Sequence, residues 1–582
     1  MFPPRCFVLL LLCLSPCLAA AEEVSHLPGS KPLDWKGDLA DKMMAGLHAD
    51  VEARIVQSID KRPAYWKRDC SSAAVYDKSV EPNRQRFRKA IGVVDPRWRV
   101  RMERFGDDDA PALVAETKTY RIYQVRWPVL DGVCGEGLLL EPKDKAIGDV
   151  IALPDADQTP EQLAGLAPGM AKDARFARRL VENGFRVVVP TLIDRSERWS
   201  GNAEVAWTNQ PHREWIYRQS YHMGRHVIGY EVQKILAVVD WCLTSGAASG
   251  ERGGVSPPRK GKVGVAGYGE GGLLAFYAAA VDPRIDACLV SGYFDSRQQT
   301  WQEPLYRNVW GLLREFGDAE IATLIAPRGL VVEYSEVPAV QGPPRVRPGR
   351  RGAAAGSLRT PSFTSVEAEF RRIGKLLPPD FQKRQLISGT DNKTVGPGSR
   401  QVLQAFATML GSKCDMKLSD ELPIDRRKHF DPAERQRRQV RELERHVQRL
   451  IRGSDRVRER IFSLTTAKTP RDLESFEKLL PRHRQYLWEE VLGKLDGPLL
   501  PPNARSRKIY DREKWSGYEV VLDVYPRVFA WGVLLLPKDL KRGEKRPVVV
   551  CQHGRNGLPK HLIEGNTSYH DVAAHLAERG FI

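Results

Sequence analysis

Apolar positions along the chain fall into short runs separated by longer stretches of helical spacing. Alternation over 119–127 and 132–140 predicts a β-ribbon, and brief apolar runs near Val150, Val187, Val263, Ala287, Val331 and Leu386 predict buried strands. Helical patterns lie between them. Over 221–242, Ile228, Val232, Ile235, Leu236, Val239 and Cys242 recur on one face, and the region before residue 110 reads as mostly helical. Eight strands alternating with helices predict an α/β fold on a mostly parallel sheet covered on both sides.

The pattern then starts again. Gly137-Leu138-Leu139-Leu140-Glu141-Pro142 is echoed by Gly532-Val533-Leu534-Leu535-Leu536-Pro537, and Asn183-Gly184-Phe185 by Arg579-Gly580-Phe581, in the same order. A repeat of this length predicts a domain duplication, not a solenoid. The expected division is a signal peptide over 1–21 and a helical preamble over 22–118. A complete α/β domain over 119–415 follows, then a basic helical linker and second preamble over 416–505, and the start of a second copy over 506–582. The segment 341–361, rich in proline, glycine and arginine, reads as a flexible surface insertion.

At 582 residues the chain exceeds one hydrophobic core, and 42% hydrophobic with 28% charged residues is ordinary for a globular protein. Met1 to Arg5 is basic, an apolar run follows, and Ala19-Ala20-Ala21 fits a cleavage site, which predicts export to a periplasmic or extracellular space. No later run is long and apolar enough to span a membrane. The cysteines after the leader are far apart with no CxxC, so no zinc or redox motif is indicated. Much of the net charge of +17 lies over 426–460, where Glu434, Glu442 and Glu444 dilute it. There Val440, Leu443, Val447, Leu450 and Ile451 recur at helical spacing beneath the arginines, so a helix with a solvated basic face is expected, not a nucleic-acid patch.

The chemistry centres on Gly267-Tyr268-Gly269-Glu270-Gly271, between the apolar run 263–266 and a helical run over 273–280. This is the frame of G-x-S-x-G, the strand-turn-helix that presents a nucleophilic serine, with glycine at the serine position. With 547–554 and the strand order, it resembles the dienelactone-hydrolase-like and acetyl-xylan-esterase-like branch of the α/β-hydrolase superfamily, which is related to prolyl oligopeptidase catalytic domains. The resemblance implies a cofactor-free, metal-free hydrolase of carboxylic esters, acting on a small or carbohydrate-linked ester when active.

Chain order in this fold is serine, acid, histidine. Glu333 and Glu336 follow the seventh strand and stand as vestigial acids, with a solvated loop as their plainer reading. No histidine occurs between His226 and His429, although the base belongs near 389–393. The first copy is therefore expected to lack serine-hydrolase activity. In the second copy, 547–554 reads as a buried strand ending in His553 and Gly554, candidates for an oxyanion-hole loop. Asp155-Ala156 holds the matching place in the first copy. The remaining catalytic groups of the second copy are expected beyond residue 582. Two other readings compete with an esterase: a scaffold of pseudo-hydrolase domains, and a dinucleotide site using Gly267, Gly269 and Gly272 with Asp286 as the ribose acid. Residues 208–215 either line a cleft or form a packed loop, and Asp107-Asp108-Asp109 reads as an acidic turn.

Overall fold

A computed structural model describes residues 25–244, 261–462, 472–565 and 568–582. The expected signal peptide lies outside the described residues. The chain divides into two units: residues 55–476, and residues 477–582 together with the chain before residue 55. Residues 25–54, at the start of the stretch expected to form one preamble over 22–118, thus group with the C-terminal residues.

In the unit 55–476 all eight anticipated strands are present: β1 (Tyr120–Leu130), β2 (Val133–Pro142), β3 (Gly148–Leu153), β4 (Phe185–Pro190), β5 (Val263–Tyr268), β6 (Ala287–Ser291), β7 (Gly329–Glu333) and β8 (Arg384–Ile387). Their order across the sheet is β1-β2-β4-β3-β5-β6-β7-β8, with short strands Glu103–Arg104 and Leu113–Glu116 added beside β1. The pairs β1·β2 and β2·β4 are antiparallel, and every later pair is parallel. Strands β3 to β7 are buried along their whole length, as a sheet covered on both faces requires.

Helix α1 (Val227–Thr244) carries the apolar face anticipated over 221–242 but begins six residues later. The preceding helix His212–Tyr221 ends in a turn containing Gly224 at φ 66°. Helix α2 (Glu270–Val281) is buried on all sides, and α3 (Arg400–Met409) follows β8. The basic stretch forms α4 (Pro432–Phe462), which packs on β2 and on the helix His212–Tyr221. Val440, Leu443 and Val447 are fully buried there, but Ile451 is 42% exposed. The apolar seam ends after Val447. Residues expected to act as a linker therefore supply a layer of this unit.

In the other unit β9 (Arg505–Asp511), β10 (Trp515–Tyr525) and β11 (Val528–Pro537) form an antiparallel sheet, with Lys31–Pro32 added parallel to β9. Trp515 faces Pro537 as Tyr120 faces Pro142, and Tyr525 faces Val528 as Leu130 faces Val133. Each pair is displaced by one offset of 395 (515 − 120, 537 − 142, 525 − 130 and 528 − 133), and even the register irregularity recurs, at Pro128/Leu130 and Asp523/Tyr525.

The expectation of a buried strand over 547–554 is corrected. That segment is assigned no strand, and Val548, Val549 and Val550 are 65%, 41% and 88% exposed. Its main chain exchanges two hydrogen bonds with Ile582, through Val549 N and Pro547 O. The corresponding β3 lies between two neighbours, β4 and β5. A parallel strand is buried only when strands flank it and helices cover it.

Candidate functional site

The turn after β5 has the anticipated shape. Gly269 has φ 59° and ψ −118°, a conformation that L side chains rarely adopt, and it caps the N-terminus of α2. A Cβ on Gly267 would lie 2.0 Å from Gly271 O, and one on Gly271 would lie 2.3 Å from Leu153 O. The two glycines let α2 pack directly on the strand ends. Taken with a sheet order that places this turn after the fifth strand, the geometry decides the fold. The unit 55–476 is an α/β-hydrolase fold.

The position that would hold a nucleophile is filled from outside. A Cβ on Gly269 would lie 2.4 Å from Asp155 Oδ1 and 3.0 Å from Pro338 Cγ. Asp155 follows β3, is 2% exposed, and accepts the Glu270 N–H through Oδ1 at 3.0 Å. Arg195 grips the same carboxylate at 2.6 and 3.0 Å. Burial pushes the Asp155 carboxyl up, but the Arg195 charge and hydrogen bonds outweigh it and hold the group below its usual range. The Asp155 N–H is turned onto Gln158 Oε1 at 3.1 Å.

Beside it Glu270 is fully buried among three arginines: Arg307 at 2.6 Å, and Arg213 and Arg195 at 3.3 Å. Burial raises its carboxyl, but Arg307, Arg213 and Arg195 together bring it down to about 2. Arg213 also pairs with buried Glu231 at 2.8 Å. The result is a buried ionic cluster at the elbow. Glu270 could be noticed in the sequence from its place next to Gly269. Arg213 lies in the segment 208–215, read as a cleft lining or packed loop, whereas Arg195, Arg307 and Pro338 carried no signal, since they come from separate parts of the chain.

The vestigial acids separate. The solvated-loop reading fails for Glu333, which ends β7, is 2% exposed, and accepts from Ser291 Oγ, Gly398 N and Ser399 N at 2.7, 2.8 and 2.9 Å. It thereby caps the segment leading into α3. Glu336 is exposed. After β8, the turn expected to carry a base is closed by Gly389 N to Lys393 O at 2.8 Å and bears no imidazole. His212 is buried, with Asp194 on Nδ1 at 2.6 Å and the Trp199 N–H donating to Nε2 at 2.8 Å. Ser196 Oγ lies 3.3 Å from that same Nδ1, so this Ser-His-Asp group has no free ring nitrogen to serve as a base. His226 donates to Asn308 O and accepts from Ile228 N.

In the C-terminal unit the Gly554 N–H donates to the Tyr569 hydroxyl at 2.7 Å, and His553 Nδ1 lies 3.0 Å from Gly554 O. The dinucleotide reading is also corrected. Asp286 precedes β6 and accepts from Val263 N and Lys262 Nζ at the N-terminal ends of the strands. The elbow with Gly272 lies at the opposite ends, about 20 Å away for a six-residue strand.

Residues 208–211 are a packed loop running into the helix His212–Tyr221, and together they hold the insertion. Asn209 Nδ2 donates to Pro344 O, Glu214 accepts from Ala354 N, and Arg350 donates to Glu197 O and Thr208 O. The insertion, expected to be flexible, is pinned as a short hairpin of Val340–Gly342 with Gly356–Leu358. Asp107 accepts from Asp109 N and Ala110 N, closing its own turn. Among the described residues no group of three or more His, Cys, Asp or Glu could hold a metal ion, and no helix is long and apolar enough to cross a membrane.

No protein-family model matches the chain, and no curated protein matches it significantly. Solved structures do. An acetyl xylan esterase from Thermoanaerobacterium sp. JW/SL YS485 matches 57% of this chain and 92% of its own, at 16% identity and a TM-score of 0.34. A glucuronoyl esterase from Solibacter usitatus matches 59% and 94%, at 12% identity and 0.35. A methylesterase matches 69% and 75%, at 12% identity and 0.37.

Proposed function

We propose that this protein is of the exported carboxylic-ester-hydrolase type and that its unit 55–476 is a non-catalytic member of the fold, a folded partner or binding domain. One observation carries the reading: the volume a nucleophile needs at Gly269 is taken by the Asp155 carboxylate. The missing base after β8 supports it, because loss of nucleophile or base alone removes a factor on the order of a million in turnover. Small or carbohydrate-linked esters are the substrate class of the whole protein. Ester chemistry is assigned to the second copy, where His553 and Gly554 hold the place of Asp155-Ala156. The basic and apolar start of the chain supports export.

The test is a fluorophosphonate probe with p-nitrophenyl acetate turnover on the full chain. No serine within 55–476 is labelled, and G269S gains neither label nor turnover, since its Cβ meets Asp155 and no base is present. A labelled serine in that unit in the wild type, or a G269S variant that turns over, overturns the reading.

A further inference from the structure

In an active elbow two backbone N–H groups wait for the oxyanion of the reaction: one on the residue after the nucleophile and one on the loop after the third strand. Here the residue after the elbow position is Glu270, and its N–H is already donated, at 3.0 Å, to Asp155 Oδ1. The carboxylate comes from the loop after β3, where the second N–H would be sought. Asp155's own N–H is committed to Gln158. The anion is held on its remaining sides by Arg195, through Nη1 to Oδ2 at 2.6 Å and Nη2 to Oδ1 at 3.0 Å, and by Asp157 N to Oδ2 at 3.3 Å. Arg195 is itself fixed by Tyr306 Oη, Asp157 and Glu270. A negative oxygen at a helix N-terminus, on a backbone N–H and beside a buried guanidinium, is in a favourable electrostatic position.

We propose that the anion-binding apparatus of the elbow persists in this unit and is permanently loaded with the chain's own carboxylate, so that Asp155 acts as an intramolecular ligand and closes the site to external anions. Removing that side chain exposes a site for a small carboxylate bound by Glu270 N and Arg195. The inference rests on the reading of the unit as non-catalytic. A serine adduct would sink that reading, whereas the experiment below bears on the ligand alone.

The experiment is thermal melting of the full chain as wild type, D155A and D155N, with about 0.1 M sodium formate or the same concentration of chloride. D155A melts several degrees below wild type, formate restores at least half of the loss, and chloride restores little. Wild type responds equally to both salts. A crystal of D155A grown with formate has a formate oxygen about 3 Å from Glu270 N. D155N keeps the size and an acceptor oxygen but not the charge, so it melts well below wild type, and it carries the test if D155A does not fold. The proposal is overturned if formate stabilises D155A no more than chloride does, if the formate binds elsewhere, or if D155N melts like wild type.

Discussion

Gly269 and Asp155 share one small volume, and the choice between them is the choice between chemistry and a filled core. A serine needs that space for its Cβ, whereas a glycine at φ 59° leaves it to a carboxylate. Burial of single titratable groups has a consequence in pH. His226 is buried, so its neutral form is favoured and its pKa is brought down to about 4, below the 6.5 it has when unfolded. A depressed folded pKa means that the unfolded chain binds the extra proton, so stability is complete above pH 6.5 and falls as pH drops toward 4, by about 3 kcal/mol. Glu270, at about 2 against an ordinary 4.5, adds a further loss between pH 4.5 and 2. Denaturant unfolding between pH 7 and pH 4 measures the first effect, and H226Q flattens it. An unchanged midpoint across that range contradicts the assignment.

At the scale of elements, helix α4 separates a seam from a surface along one periodic face. Leu443 is fully buried against the sheet, so L443A costs about 2–5 kcal/mol, whereas I451A, at a site 42% exposed, changes stability by about 0.5 kcal/mol or less. Urea midpoints of the two variants check the contrast, and equal losses would place the seam wrongly. The strand-turn-helix from Val263 to Val281 could be read in the sequence because apolar runs, glycines and helical period are all local signals. The run 547–554 has the same local signals and is not buried, because a parallel strand's environment is supplied by neighbours distant in sequence. The insertion 341–361 has a loop's composition, yet Asn209, Glu214 and Arg350 fix it.

Across the whole molecule the two units differ most in their cores. The unit 55–476 holds the large clusters on both faces of its sheet, whereas the other contains small ones around Trp515, Leu535 and Ile563 and around Leu33, Leu39 and Val521. Stability follows buried apolar area. Calorimetry is therefore expected to resolve two transitions, the lower one accompanied by loss of amide protection in 505–537. A single transition with simultaneous exchange would contradict this. Part of the positive charge along α4 is paired, with Arg435, Arg438 and Arg441 on Glu161, Glu136 and Glu444 at 2.7, 2.8 and 2.6 Å. These arginines serve packing as well as solvation.

Local pattern alone determined the eight strands, the glycine elbow, the missing histidine and the echo of the first ribbon in the last, because period, turn chemistry and residue identity are properties of short segments. Only the tertiary structure decided what occupies the elbow. Asp155 lies 115 residues from the N–H it takes and 40 from the arginine that holds it, and such a meeting is set by how the sheet is wound. The same holds for Glu333, an ordinary glutamate by position, whose three donors come from a neighbouring strand and a distant turn. Charge and hydrogen bonding act through space, and the chain brings these groups together only when it folds.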